Sequence, residues 1–133
     1  MNSNAMPRCD RAGLYDHIER YLDALTRPDP SRLAWAAEVV FTANNVQLAV
    51  GDGTWNTATG RRGYDLKMAD PATGQVAWFG VIEERGVPAI MALRLRIERD
   101  RIAEAEAIVT RQVENSPFPS IETYVAPRPL MLA

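Results

Sequence analysis

The stretch YDLKMADPATGQVAWFGVIEERGVPAIMALRLRIERDRIAEAEAIVTR, residues 64–111, reads as four consecutive β-strands whose faces follow from side-chain spacing. Its turns fall at Asp70-Pro71-Ala72-Thr73-Gly74, at Arg85-Gly86 and at Arg99-Asp100-Arg101, where Asp, Pro and Gly supply turn geometry. Pairing must bring like faces together, because a one-residue slip inverts every side chain. In the last hairpin Met91, Leu93, Leu95 and Ile97 share one face, and Ala103, Ala105, Ala107 and Val109 share one face of the next strand. An odd turn at residues 99–101 sets Ile97 opposite Ala103, Leu95 opposite Ala105 and Leu93 opposite Ala107. The same register sets Arg96 opposite Glu104 and Arg94 opposite Glu106, so one turn length satisfies both faces.

Extending backwards, an even turn at Arg85-Gly86 adds Val76, Trp78, Gly80 and Ile82 to the apolar face, and the Pro-Ala-Thr-Gly turn adds Tyr64, Leu66 and Met68. This is the expected inner face. The expected outer face carries the charged quartet Arg94, Arg96, Glu104 and Glu106 and, beside it, Phe79, Val81, Ile90 and Ile108. Asp65 and Lys67 fall on that outer face as well. A sheet with one apolar face needs helices over it.

The segment ahead of the sheet supplies them. Leu14, Ile18, Tyr21, Leu22 and Leu25 recur at helical spacing between Asp10 and Leu25, with Asp16, Glu19, Arg20 and Asp23 opposite. Pro28 ends that helix, and Asp29 as cap with Pro30 at the first position predicts a second, short helix over residues 31–38. Residues 39–50 are rich in β-branched side chains and predict a strand, with Asn44-Asn45 inside it and one of the two amides needing an inward partner. Gly51-Asp52-Gly53 is a turn, followed by a loop or short helix around Trp55.

The bulk numbers set the class. At 133 residues the chain fits one domain, and it is long enough to bury a core without a metal or a disulfide. A net charge of -2 argues against a phosphate-backbone partner. With one cysteine, Cys9, neither an internal disulfide nor a cysteine-based zinc site is expected, and one histidine, His17, excludes a histidine-rich metal centre. No apolar run approaches the ~20 residues of a membrane span. Residues 1–5 resemble an expression-tag remnant, residues 6–113 form the expected domain, and residues 114–133 are a proline-rich tail. A cytoplasmic protein is the default, although a targeting segment trimmed from the start would change that. No phosphate-binding glycine loop, nucleophile elbow or metal motif is present, and no cofactor is expected.

Several side chains are candidates for chemistry. Tyr64, Trp78 and Gly80 lie near the small row Ala103, Ala105 and Ala107 on the expected inner face, leaving space that either helix side chains or a ligand must fill. His17 lies at the edge of the helix stripe; it is a candidate acid-base group facing the enclosed space, or a boundary residue with one nitrogen in water. Tyr21 is a candidate donor to a ligand oxygen, and Trp55 a candidate closure of the pocket mouth. The charged quartet is either a carboxylate-binding constellation or a solvated or interfacial ladder, the latter favoured by its place on the outer face. The neighbouring apolar patch suits self-association.

Helices, a strand, a connecting segment and a long meander together resemble the nuclear transport factor 2-like superfamily, which includes SnoaL-like cyclases, ketosteroid isomerases and limonene epoxide hydrolases. The residues Phe41-Thr-Ala-Asn-Asn-Val, Gly51-Asp-Gly-Thr-Trp55, Tyr64 through Asp70, Gly74-Gln75 and Arg94-Leu-Arg-Ile are also similar to a SnoaL-like family of unassigned function. The resemblance implies an α+β cone (cystatin-like in outline), N-terminal helices on a curved, mostly antiparallel sheet, and a homodimer formed through that sheet. It implies a small apolar molecule in the cone, contacted by Tyr21, Asn45, Trp55, Tyr64 and Trp78. Isomerisation, cyclisation or hydration by general acid-base catalysis follows as one activity, and the place of His17 on the helix stripe makes it the expected proton-transfer group. A ligand-binding or dimerisation module without chemistry is the alternative. Tyr15 or Tyr21 matches the isomerases' helix tyrosine, whereas their cavity aspartates and the epoxide hydrolases' Asp-Arg-Asp cluster find no counterpart on the expected inner face.

Overall fold

A computed structural model of the chain describes residues 9–112, 115–117 and 120–126. One helix, α1 (Arg11–Thr26), packs on a six-stranded sheet made of β1 (Trp35–Ala43), β2 (Val46–Leu48), β3 (Ala58–Asp70), β4 (Gln75–Glu84), β5 (Val87–Glu98) and β6 (Arg101–Arg111). The spatial order is β2-β1-β6-β5-β4-β3, antiparallel throughout except where β1 runs parallel to β6. The expected tag remnant at residues 1–5, the expected boundary at residue 113 and half of the proline-rich tail lie outside the described residues.

The helix forms where its spacing predicts. Asp10 caps it, its carboxylate accepting from the Gly13 N–H at 2.8 Å. Leu14, Ile18, Leu22 and Leu25 are fully buried and Tyr21 nearly so, facing the sheet over β3 and β4. The second helix does not form. Asp29 and Pro30 start only a single 3-10 turn, Pro30–Arg32, and the chain is already extended at Trp35. The Trp35 indole donates to the Pro30 carbonyl at 2.8 Å and fixes this exit. Trp35 and then Val40 through Ala43 gain a parallel partner in β6, and that pairing on both sides outweighs the helix propensity of the Ala-Ala-Glu segment between them.

The strand expected over residues 39–50 is a hairpin. Asn44 and Asn45 both have positive φ (49° and 66°) and form its two-residue turn, a conformation that adjacent amides tolerate. The demand for an amide partner is met by Asn44. Its Oδ1 accepts from the Val109 N–H at 2.8 Å and its Nδ2 donates to the Val109 carbonyl at 3.3 Å.

The meander forms as four strands with the predicted pairing of β4, β5 and β6. Trp78 lies opposite Leu93, Gly80 opposite Met91, Leu93 opposite Ala107 and Arg96 opposite Glu104. The β5–β6 turn is tighter than expected: Arg99 and Asp100, both left-handed, make a two-residue turn, and Ile97 pairs with Ile102 across a bulge. The bulge restores the register that an odd turn would have set.

β3 is turned over relative to the sequence expectation. Asp70 pairs with Gln75, so four residues separate the strands and the turn is even. Lys67 then lies opposite Trp78, and Ala69 opposite Val76, on the inner face. Leu66 and Met68 join Phe79 and Ala77 on the outer face, where Leu66 is 42% and Met68 52% exposed. A two-residue excess between Arg62 and Leu66 forms a second irregularity, holding Gly63, Tyr64 and Asp65. The chain near the C-terminus returns here. A 3-10 turn, Ile121–Tyr124, is followed by Val125, whose carbonyl accepts from the Tyr64 N–H at 2.8 Å. Gly63 has positive φ (72°), and a Cβ there would collide with the Val125 carbonyl.

Candidate functional site

Turning β3 over carries charge to the inner edge of the sheet. Asp65 and Lys67 sit beside Trp78, and Arg61 lies opposite Ile82 on the same face. Trp78 is fully buried, and its indole N–H donates to Asp65 Oδ2 at 2.8 Å. The indole lies over Gly80, where an added Cβ would overlap the ring. A buried donor thus reaches from the core to a carboxylate that is itself 35% exposed. Glu19 of α1 closes the group, with Arg61 Nη2 and Lys67 Nζ each 2.5 Å from its carboxylate. Hydrogen bonding from Arg61, reinforced by Lys67, holds the Glu19 carboxyl below its ordinary range against a desolvation that works the other way. Tyr15, from the preceding helical turn, has the Lys67 ammonium 5.9 Å from its ring centroid.

The sequence candidates divide between several places. Tyr21 and Trp55 come together, 5.2 Å between ring centroids in an edge-to-face contact, and Trp35 completes the group at 6.0 and 6.1 Å. Tyr21 and Trp55 are each 2% exposed. Burial pushes the Tyr21 phenol pKa up, and the Trp55 indole opposes that rise. Trp55 Nε1 makes no hydrogen bond of ordinary geometry among the described residues. Trp78 lies on the inner face as expected, but its polar atom is committed to Asp65. Tyr64 stands in the irregular stretch of β3, half-buried, under the returning Val125. Asn45 is exposed at the tip of the β1–β2 hairpin.

His17 is directed elsewhere. It is buried at the start of α1, with Nε2 2.8 Å from Asp100 Oδ1 in the β5–β6 turn. Cys9 lies close to both. Its thiol pKa is raised by burial first and by Asp100 and Asp10 next, an environment unlike that of an activated nucleophile.

The charged quartet stays outside as a ladder. Arg94 reaches Glu104 at 2.9 Å and Glu106 at 3.2 Å, and Arg96 reaches Glu104 at 3.2 Å and Glu98 at 2.8 Å. The Arg94 hydrogen bond, with Arg96 behind it, holds the Glu104 carboxyl down. Sequence reasoning missed Asp65 and Lys67 as inner-face residues. The available signal was the even turn of residues 71–74, because only an odd one puts Tyr64, Leu66 and Met68 inside.

Many solved structures resemble this fold, and three of them illustrate the likeness. A nuclear transport factor 2-like protein of unknown function from Burkholderia xenovorans superposes with a TM-score of 0.58 at 8% identity, over 86% of this chain and 94% of that one. The chain has the nuclear transport factor 2-like fold. A putative polyketide cyclase from a Silicibacter species gives 0.56 at 15% identity over 74% and 89% of the two chains. A putative ketosteroid isomerase from Kribbella flavida gives 0.54 at 11% identity over 87% and 90%. No family model and no curated protein matches the sequence. No helix among the described residues of this fold member is long and apolar enough to cross a membrane.

Proposed function

We propose that the chain binds a small, largely apolar molecule against the α1–β3 edge and moves a proton on it, with Asp65 as the base and Lys67 and Arg61 offering positive charge to a developing oxyanion. The observation that carries this proposal is the hydrogen bond from the buried Trp78 indole to the half-exposed Asp65 carboxylate. A carboxylate held in one orientation at the boundary of core and solvent suits abstraction of a proton beside a carbonyl. Asp65 takes this role instead of His17 because Asp65 shares the inner edge with Trp78, whereas His17 is engaged with Asp100. The isomerase and cyclase names among the fold neighbours are compatible with such chemistry.

The test is solvent deuterium incorporation into a panel of enolisable cyclic ketones. The wild-type chain is expected to accelerate exchange at the carbon next to the carbonyl, and Asp65→Asn to lower that rate by roughly 100- to 10,000-fold. Exchange at the buffer rate for the whole panel, or an unchanged rate in Asp65→Asn, overturns the assignment.

A second reading has its own observation. The expected pocket aromatics Tyr21, Trp55 and Trp78 are packed to 2% exposure or less, as in a filled core. Outside, Leu66, Phe79, Ala92 and Ile108 form one row across four strands, bordered on one side by the Arg94–Glu106 row and, beyond it, the Arg96–Glu104 row. Phe79 and Ile108 are 46% and 48% exposed. We propose that this row is the seam of a homodimer formed sheet to sheet.

A further inference from the structure

Three metal-ligating side chains from separate parts of the chain converge at the start of α1. Cys9 belongs to the segment leading into the helix, His17 lies in its second turn, and Asp100 sits in the β5–β6 turn 83 residues further on. The thiol sulfur, an imidazole nitrogen and a carboxylate oxygen lie within 4.8 Å of one another. His17 is only 6% exposed, so its ring is held in place by the core beneath it. Gly13 makes room for the thiol: a Cβ at that position would stand 2.6 Å from Cys9 Sγ. Asp10 and Asp16 act on the same thiol as negative charges, with Arg20 as the opposing cation.

The plain alternative is a packing contact in which one hydrogen bond fastens α1 to the hairpin and Cys9 fills a gap. The donor set argues for more. A thiolate, an imidazole and a carboxylate are the ligands that zinc-type ions combine, and three protein ligands leave a fourth position for water or another ligand. Tetrahedral zinc bonds of about 2.0–2.3 Å put ligand atoms about 3.3–3.8 Å apart, so the cluster needs to close by only about 1 Å at its widest. Asp100 is on an exposed two-residue turn and Cys9 precedes the helix, so both are able to make that adjustment. The His17–Asp100 hydrogen bond would open slightly to admit the ion between its two atoms.

We propose that Cys9, His17 and Asp100 form a binding site for one divalent transition-metal ion of zinc type, independent of the proton-transfer proposal at Asp65. No spacing motif announces it, because the donors come from the lead-in, the helix and a distant turn.

Cobalt(II) serves as the probe in titrations of the full chain, freed of any polyhistidine tag. One cobalt per chain is expected, with a near-ultraviolet thiolate-to-cobalt band that zinc abolishes by displacement. Cys9→Ser should lose the band, and Asp100→Asn should weaken zinc affinity by about tenfold or more. Zinc should raise the thermal midpoint of the wild type and leave that of Cys9→Ser unmoved. Absence of saturable binding overturns the proposal. So does a band that persists unchanged in both Asp100→Asn and His17→Gln, since that marks adventitious capture by the thiol alone.

Discussion

Gly80 shows how closely single atoms are specified at the floor of the sheet. The Trp78 indole occupies the volume that a Cβ at position 80 would need. Gly80→Ala should therefore displace the ring, break its hydrogen bond to Asp65 and cost about 1–3 kcal/mol, read from urea denaturation. Loss of the near-ultraviolet dichroism of that tryptophan would accompany it. Glu19 makes the second residue-scale prediction. Its folded pKa lies below its ordinary value of 4.5 because of Arg61 and then Lys67. Such a group adds stability that is complete above the unfolded value and is lost as pH falls through the folded one. Urea midpoints should hold steady near neutrality and decline below about pH 4.5. Glu19→Gln should decline less steeply, with Glu84 and Glu104, both also held low by arginines, supplying the remaining slope. Equal slopes in the two proteins would remove the Glu19 triad from the account.

At the scale of elements, the β1–β2 hairpin separates two asparagines that look alike in the sequence. Asn44→Ala leaves the Val109 N–H and carbonyl without their side-chain partners and should cost about 1–3 kcal/mol by chemical denaturation. Asn45→Gly keeps the left-handed turn and should stay within about 0.5 kcal/mol of the parent. The same hairpin shows what was legible and what was not. Val39, Val40 and Val46 correctly signalled extended chain, but two adjacent amides able to adopt positive φ were a turn signal that the surrounding β-branched residues obscured. The helix expected over residues 31–38 had its cap in place, and Asp29 does cap a turn. What local sequence could not show was the parallel partner waiting in β6. For β4, β5 and β6 alternation was enough, because only one of their faces is thoroughly apolar. It failed on β3 because Leu66 and Met68 belong to an apolar surface that faces outward, and alternation alone cannot tell a buried apolar face from an exposed one. The chemistry of the candidate site was hidden by the same ambiguity, since Asp65 follows its strand.

For the whole molecule, the apolar row on the outer sheet face carries the consequence. Light scattering coupled to size exclusion should report a dimer, and Phe79→Glu should convert it to a folded monomer. A wild-type monomer at tens of micromolar would remove the dimer proposal. The returning Ile121–Tyr124 segment lies beside β5 and Arg62 pairs with Glu122 at 2.9 Å, so this part of the sheet is covered from within the chain.

The four residues between Asp70 and Gln75 set more than the reach of a loop. Because strand faces alternate, loop length acts here as a parity bit that decides which half of β3 meets the helix. Deleting Ala72 would leave three residues and favour the flipped strand, with Leu66 and Met68 inward and Asp65 and Lys67 facing water. Deleting two residues would preserve the present faces. Insertions and deletions at this loop should therefore be tolerated in pairs and rejected singly, and a single deletion would exchange a charged edge for a greasy one without altering any side chain in the strand.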